Sequence, residues 1–332
     1  PAGRADIVGE ADLVEEVLRI HGFDNIPAVS LPRLKRAAGA AIGLPARRLG
    51  WARRTLAARG MSEAVTWSFM SMAQASLFGG GLPELTLANP ISSDLDVMRP
   101  SILPNLVMAC RRNSDRGLKN LALFEGGPQY AGESAKAQHR MMTGVRAGQA
   151  VNRNPYVLAR DVDCFDAKAD AVAALGAAGA PVASLQIKNE APDWYHPGRS
   201  GSLALGRNVL GFFGELHPAT LAALDVDFPV VGFELFIDAV PTPKNKAGRA
   251  RAALNVSEFP AVERDFAFIV DADVPAEQVV RAARGVDKKL IADVALFDLY
   301  EGEGVAEGKK SLAIAVRLEP RDRTLTDAEI EA

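Results

Sequence analysis

Four carboxylates crowd the start of the chain: Asp6 in an extended lead-in, then Asp12, Glu15 and Glu16 at i, i+3 and i+4. At helical spacing Asp12 shares a face with either glutamate, and few cations lie nearby to neutralise them, an arrangement suited to a hard divalent ion. The same letters suit a humbler role. Asp12 followed three residues later by Glu15 is a capping-box pattern, and acids in a first turn complement the helix dipole. Spacing alone leaves both readings open.

Other residues with chemical potential are less productive. His196 and His217 each precede a proline in a loop-like setting, but nothing nearby completes a nucleophile–base–orienter set, so structural turns are expected. The string from Gly304 to Ser311 resembles a phosphate loop, yet it has three residues between its glycines instead of four and feeds a strand rather than a helix. It reads as a hairpin connection. From Asn25 to Ser62 there is no acid, while Arg33, Lys35, Arg36, Arg47, Arg48, Arg53, Arg54 and Arg59 all occur. Such a stretch is a solvated basic face or a contact for RNA or an acidic partner.

The elements that must position these residues follow from periodicity. Leu44 to Arg59 has a helical stripe of Leu49, Ala52 and Leu56, and Met61 to Phe69 is rich in strand formers. A helix is expected over 101–116, capped by Ser101 and turning Leu103, Leu106, Val107 and Cys110 inward. Strands are expected at 119–125 and 201–214, with an alanine-rich helix at 165–178. Heavy glycine and proline punctuation favours a mixed antiparallel sheet over a doubly wound one. The stretch from Val240 to Leu254, with its prolines and run of cations, is the clearest domain boundary. Beyond it come a strand (264–271), a helix (275–284), two strands (291–300 and 310–319) and a helix start at Thr326, the first two-thirds of a βαββαβ unit. On the third of these strands Leu312, Ile314, Val316 and Leu318 point toward the helices; Ser311, Ala313, Ala315 and Arg317 point away.

Bulk properties exclude several classes. At 332 residues, 48% hydrophobic and 24% charged, the chain has the composition of an ordinary globular protein of about two domains. A formal net charge of -3 gives no global pull toward nucleic acid, so any RNA contact must be a local patch. There is no long apolar run and no signal-peptide pattern, so no membrane partner is expected. Two cysteines, Cys110 and Cys164, argue against a disulfide scaffold or a zinc site and fit a reducing cytoplasm.

Beyond these patterns the chain resembles a specific family. The segment Arg4-Ala5-Asp6, Asp12-Leu13-Val14-Glu15-Glu16-Val17 and Arg19 through Pro27 is similar to the end of a small module in bacterial phenylalanine-tRNA ligase β subunits. Asn89 through Asp94, Met98 through Leu106, Arg111-Arg112-Asn113 and Leu123 through Gly127 follow in the family's order, as do His196 through Ser200, Gly211 through Pro218 and Phe233-Glu234-Leu235. Phe259 through Asp265 and the stretch to Asp327 resemble its ferredoxin-like anticodon-binding domain. The resemblance is thinnest over 130–190.

It implies an α+β fold: a partial helical module (1–36), a class II synthetase-like mixed antiparallel sheet with helices (37–240), a linker (241–253) and a truncated ferredoxin-like βαββαβ domain (254–332). It implies a C-terminal fragment, in keeping with a chain that opens on proline. The resemblance also implies that the chain is catalytically inert. A class II adenylating enzyme needs cations on its triphosphate, one from a Gly-x-x-Arg helix motif. That motif is missing after Gly211-Phe-Phe-Gly214 and after Gly232-Phe233-Glu234. ATP would then be bound by a separate α subunit, two α and two β chains being expected, with phenylalanine tRNA as the RNA partner. Asp6, Asp12, Glu15 and Glu16 match positions that ligate Mg2+ at the α junction. Arg264, Lys309, Lys310 and Arg317 are the candidate RNA-binding residues. A freestanding RNA-binding or interaction protein, or a self-sufficient class II ligase, are the alternatives.

Overall fold

The computed structural model describes residues 3–31, 40–151, 154–242, 256–326 and 330. They fall into two units, 1–43 and 44–332.

In the first unit, α1 (Glu10–His21) begins after Gly9 and stops at Gly22. The positive φ of Gly22, 98°, lets its N–H turn back to Leu18 O at 2.8 Å. Leu13, Val17 and Ile20 form a stripe on α1, yet none of its residues is buried within this unit.

The second unit runs α2 (Leu44–Ala58), β1 (Ser62–Glu63), β2 (Phe69–Met70), α3 (Met72–Ser76), β3 (Val97–Met98), α4 (Leu103–Ser114), β4 (Leu121–Tyr130), β5 (Gln138–Ala147), α5 (Cys164–Ala177), β6 (Gln186–Lys188), β7 (Tyr195–Leu205), β8 (Asn208–Leu216), α6 (Pro218–Ala223), β9 (Val230–Phe236), β10 (Val262–Asp271), α7 (Ala276–Val286), β11 (Ile291–Tyr300) and β12 (Lys309–Leu318). The larger sheet has the order β1-β4-β5-β9-β8-β7-β6, with β1 parallel to β4 and the other pairs antiparallel. Strand alternation sends Phe124, Met142, Phe233 and Leu235 to one face, under α2 and α5. Met141, Val145, Val230 and Phe236 go to the other, under α4 and α6. Leu103, Leu106, Val107 and Cys110 of α4 are fully buried there. Each buried aliphatic side chain contributes about 1.5–3 kcal/mol, which fixes this three-layer stack.

The smaller sheet has the order β10-β12-β11, all antiparallel, with α7 on one face through Val279, Val280 and Ala283. That is the strand order of a ferredoxin-like unit, so the mixed α+β architecture expected from the sequence is the one observed. The strand alternation also holds in detail: Leu312, Ile314, Val316 and Leu318 are buried on the helix side. The helix expected from Thr326 and most of the linker lie outside the described residues.

Two expectations need correction. The strand expected over 201–214 is a hairpin of β7 and β8, turning at Gly206 with φ 63°. The strand expected to end at 125 runs to Tyr130 through Gly126-Gly127-Pro128. Proline is tolerated there because β1 pairs only with Leu123 and Phe124, leaving β4 an open edge beyond them. A Cβ on Gly127 would come 2.7 Å from Arg99 Nη2.

Candidate functional site

Register places a polar row across the α4 face of the large sheet. Glu125 of β4 lies opposite Thr143 of β5, Thr143 opposite Glu234 of β9, Glu234 opposite Phe212 of β8, and Phe212 opposite Ser202 of β7. Glu125, Thr143, Glu234 and Ser202 are all at most 4% exposed. Buried carboxylates need partners, and for Glu125 and Glu234 two come from the segment entering α4, whereas Thr143 Oγ1 and Ser202 Oγ have none among the described residues. Arg99 Nη1 donates to Glu125 Oε1 at 2.8 Å and its Nε to Pro128 O at 2.9 Å. Thr66 Oγ1 donates to Glu125 Oε2 at 2.6 Å.

Ser101, expected as a helix cap, has a double task. Its Oγ accepts from Leu103 N at 3.0 Å and donates to Glu234 Oε1 at 2.5 Å. Trp194 Nε1 and the Tyr195 hydroxyl donate to Glu234 Oε2 at 3.0 and 3.3 Å. No cation balances Glu234 in this set, and burial pushes its carboxyl above the ordinary glutamate value.

A raised folded-state value means that the native protein binds this proton more tightly than the unfolded chain. The carboxyl therefore loses native stability as pH rises from about 4.5 toward its folded value. Glu234→Gln keeps an oxygen for Trp194 and Tyr195 and offers an amide N–H to Ser101 Oγ. Its stability relative to the parent should increase as pH is raised through that window, in urea unfolding at a series of pH values. A difference independent of pH would contradict this.

The row offers no cradle for a triphosphate. Arginines on the strands of the large sheet are Arg140, Arg146 and Arg199. They pair with Asp238, Asp170 and Glu215 at 3.1, 2.6 and 2.5 Å. Arg99 is itself 1% exposed and held by Glu125. The basic helix α2 is also largely spent on the fold. Arg48 donates to Val240 O and Pro241 O, both at 2.6 Å. Arg53 reaches Glu63 at 2.8 Å, and Arg59 reaches the buried Asp170 at 2.6 Å. Arg47 lies over the Trp51 ring, while Arg33, Lys35 and Arg36 are outside the described residues. The two histidines sit in regular elements, not in loop turns: His196 lies in β7, at the irregularity in register between Tyr195 and Ser200, where its Nδ1 accepts from Gly198 N, and His217 caps α6, its Nδ1 accepting from Ala219 N, each at 3.1 Å.

Of the four N-terminal acids Asp6 and Glu15 are exposed and Asp12 and Glu16 half-buried, and they do not converge on one point. Asp12 is the third residue of α1, where its carboxylate accepts from Val8 N at 2.9 Å and Gly9 N at 2.8 Å. It thus serves the capping box from inside the helix, not as the residue that opens it. Those two N–H groups hold its carboxyl below the usual range. Asp6 and Glu16 meet at Arg4, whose Nη2 lies 2.6 and 2.9 Å from them. Arg19 pairs with Glu16 at 2.7 Å. Arg4 lowers the Asp6 carboxyl; Arg19 and then Arg4 lower that of Glu16. The scarcity of cations expected from the sequence is therefore corrected: Arg4 and Arg19 fold back onto the acids. Among the described residues no group of three or more His, Cys, Asp or Glu gathers as a metal site. The donor set fits Mg2+ in part, since Asp6 and Glu16 already share one cation, and magnesium needs only one or two carboxylates beside its waters.

The candidate RNA residues divide between two faces of the small sheet. Lys309 and Arg317 sit on the open face, opposite Asp271 and Glu263; Arg264 and Lys310 sit on the helix side, opposite Val316 and Val270. Lys309 pairs with Asp271 at 2.7 Å and Arg317 with Glu319 at 2.9 Å. Lys310 Nζ donates to Ala272 O at 2.7 Å, and Arg264 lines an apolar cavity of about 600 Å³ with Phe266 and Phe268.

The open face carries Ser311, Ala313, Ala315 and Arg317, the side expected to point away from the helices, and the neighbouring strands add to it. Ala267, Ala313, Ala315 and Ala295 make a flat floor, bordered by Asp265, Asp298, Tyr300 and Ser311. Carboxylates repel phosphate and accept from amino groups, so this floor suits base edges better than a backbone. The contribution of β11 was not legible by alternation, because Asp298 and Tyr300 join the face of Ala295 only across the shift in register between Leu296 and Asp298.

Comparison with known proteins covers both sheets. Residues 35–237 match the family described as the phenylalanyl tRNA synthetase beta chain CLM domain, and residues 257–332 match the ferredoxin-fold anticodon binding domain. The whole chain is 59% identical to a phenylalanine–tRNA ligase beta subunit of Paramagnetospirillum magneticum, 54% identical to that of Rhodospirillum rubrum and 52% identical to that of Brucella abortus. It spans 42, 41 and 42% of their respective lengths.

Proposed function

Since the chain belongs to the phenylalanine–tRNA ligase β-subunit family, we propose that it acts as the non-catalytic support of a separate α subunit. In this reading the α subunit binds ATP and phenylalanine, two α and two β chains assemble in the cytoplasm, and this chain helps to place phenylalanine tRNA. The observation that carries it is the state of the large-sheet strand arginines, each paired with a carboxylate, whereas an adenylating site needs cations free for phosphate. The division into 1–36, 37–240, 241–253 and 254–332 assigns the support role to the large sheet and RNA contact to the small one.

On the small sheet, Tyr300 supplies a ring for stacking, and Asp298 and Ser311 supply hydrogen-bonding groups for an unpaired base. Lys309 and Arg317, at the margins of the same face, serve the phosphates, while Arg264 and Lys310 meet RNA only if it wraps the edge. Asp6, Asp12, Glu15 and Glu16 would hold Mg2+ at the α junction, where the ion neutralises carboxylates that otherwise repel a partner's acids.

Association tests this. Mixed with a phenylalanine–tRNA ligase α subunit, the chain should elute as a heteromer in Mg2+. A chelator, or Asp6→Ala with Glu16→Ala, should weaken that association at least about tenfold. Unchanged affinity after both treatments would remove magnesium from the junction.

A further inference from the structure

The large sheet ends in β6, an edge strand whose outward N–H groups have no strand partner. Edge N–H groups are normally hidden or blunted because they invite pairing with another chain. Here the outward N–H of Ile187 donates to Glu277 Oε2 at 2.9 Å, in a partly buried contact between residues 90 apart in sequence. Glu277 is the second residue of α7, so the bond joins the two sheets of the second unit.

The sequence of α7 makes it two-faced. Val279, Val280 and Ala283 pack on the small sheet. Glu277, Arg281 and Arg284 recur at i, i+4 and i+7 and line a cavity of about 420 Å³ with Val182 to Gln186, the segment leading into β6. Arg281 pairs with Glu277 and orients it; Arg284 is turned back to Asp293 at 3.0 Å and Val294 O at 2.9 Å. The seam is thus polar and incompletely filled, with little apolar area to hold the two sheets in register. Among the described residues the hydrogen bond that crosses it is that from the Ile187 N–H to the Glu277 carboxylate.

We propose that Glu277 is a positioning residue that latches α7, and with it the small sheet, to the free edge of β6, setting the direction in which the open face of the small sheet is presented. The function of that orientation rests on the RNA-placing role proposed above; the latch itself does not. Removing the acceptor frees both the Ile187 N–H and the seam. An amide oxygen can replace the carboxylate oxygen as acceptor, so Glu277→Gln should retain the latch.

Hydrogen exchange of the whole chain without RNA reads this directly. In Glu277→Ala the Ile187 amide should exchange at least about tenfold faster, equivalent to loss of one well-made hydrogen bond. Amides in the centres of β5 and β9 should keep their protection, which separates unlatching from misfolding. Glu277→Gln should exchange like the parent. Small-angle scattering should show a broader distance distribution for the alanine variant alone. An unchanged Ile187 rate in Glu277→Ala, or equal acceleration in both variants, would overturn the latch. Failure of tRNA to bind the parent chain would instead count against the RNA-placing role and leave the exchange result intact.

Discussion

Glu125→Ala is expected to destabilise the fold by about 3–5 kcal/mol, the range for breaking a buried ion pair from one side. Arg99 is 1% exposed and cannot move its guanidinium into water without abandoning Pro128 O and the entry to α4. Without Glu125 it becomes a buried, uncompensated charge, and the Thr66 hydroxyl and N–H lose the oxygen they share. A double variant, Arg99→Met with Glu125→Leu, should recover much of the loss, because two apolar groups leave no stranded charge. An exposed pair gives the scale for comparison: Lys309→Ala, which removes the partner of Asp271, should change stability by less than about 1 kcal/mol. Urea unfolding of the three variants checks the order. A Glu125→Ala effect no larger than that of Lys309→Ala would mean that the pair does not hold the α4 entry to the sheet.

Much of the fold was legible because its signals are local. The stripe of Leu49, Ala52 and Leu56 gave α2, and the alternation of Leu312, Ile314, Val316 and Leu318 gave the buried face of β12. The β7–β8 turn was missed because Gly206-Arg207 sits inside an otherwise continuous run of strand formers, where one glycine carries little weight. The extension of β4 through Gly126-Gly127-Pro128 was missed for the opposite reason: three breakers are allowed by an open edge and by Arg99, neither visible locally.

The candidate site was less legible. Arg99 and Glu125 are separated by 26 positions, Ser101 and Glu234 by 133, and only the sheet register brings them together. The four candidate RNA residues divide between two faces because adjacent strand residues alternate. Lys309 and Lys310 point to opposite faces by the rule that placed the leucines. At the N-terminus the spacing of the acids was right, but the return of Arg4 across twelve residues to Glu16 was not readable from it.

The second large effect concerns catalysis, and it is an expected absence of rate. Adenylate formation develops charge on the transferring phosphorus, and removal of even one preorganised donor lowers such rates by about 10²–10³. On the large sheet the strand arginines are each neutralised by a carboxylate, and Arg99 is enclosed with Glu125. Freeing Arg99 for phosphate would leave the buried Glu125 uncompensated, and freeing Arg146 would leave the buried Asp170 to Arg59 alone. Phenylalanine-dependent exchange of pyrophosphate into ATP measures this most directly, using chain whose cooperative unfolding has first been verified. Alone, the chain should give no exchange above a protein-free blank, and addition of the α subunit should bring the rate up. Robust phenylalanine-dependent exchange by the purified chain without a partner would contradict the support role and require an adenylating site within this fold.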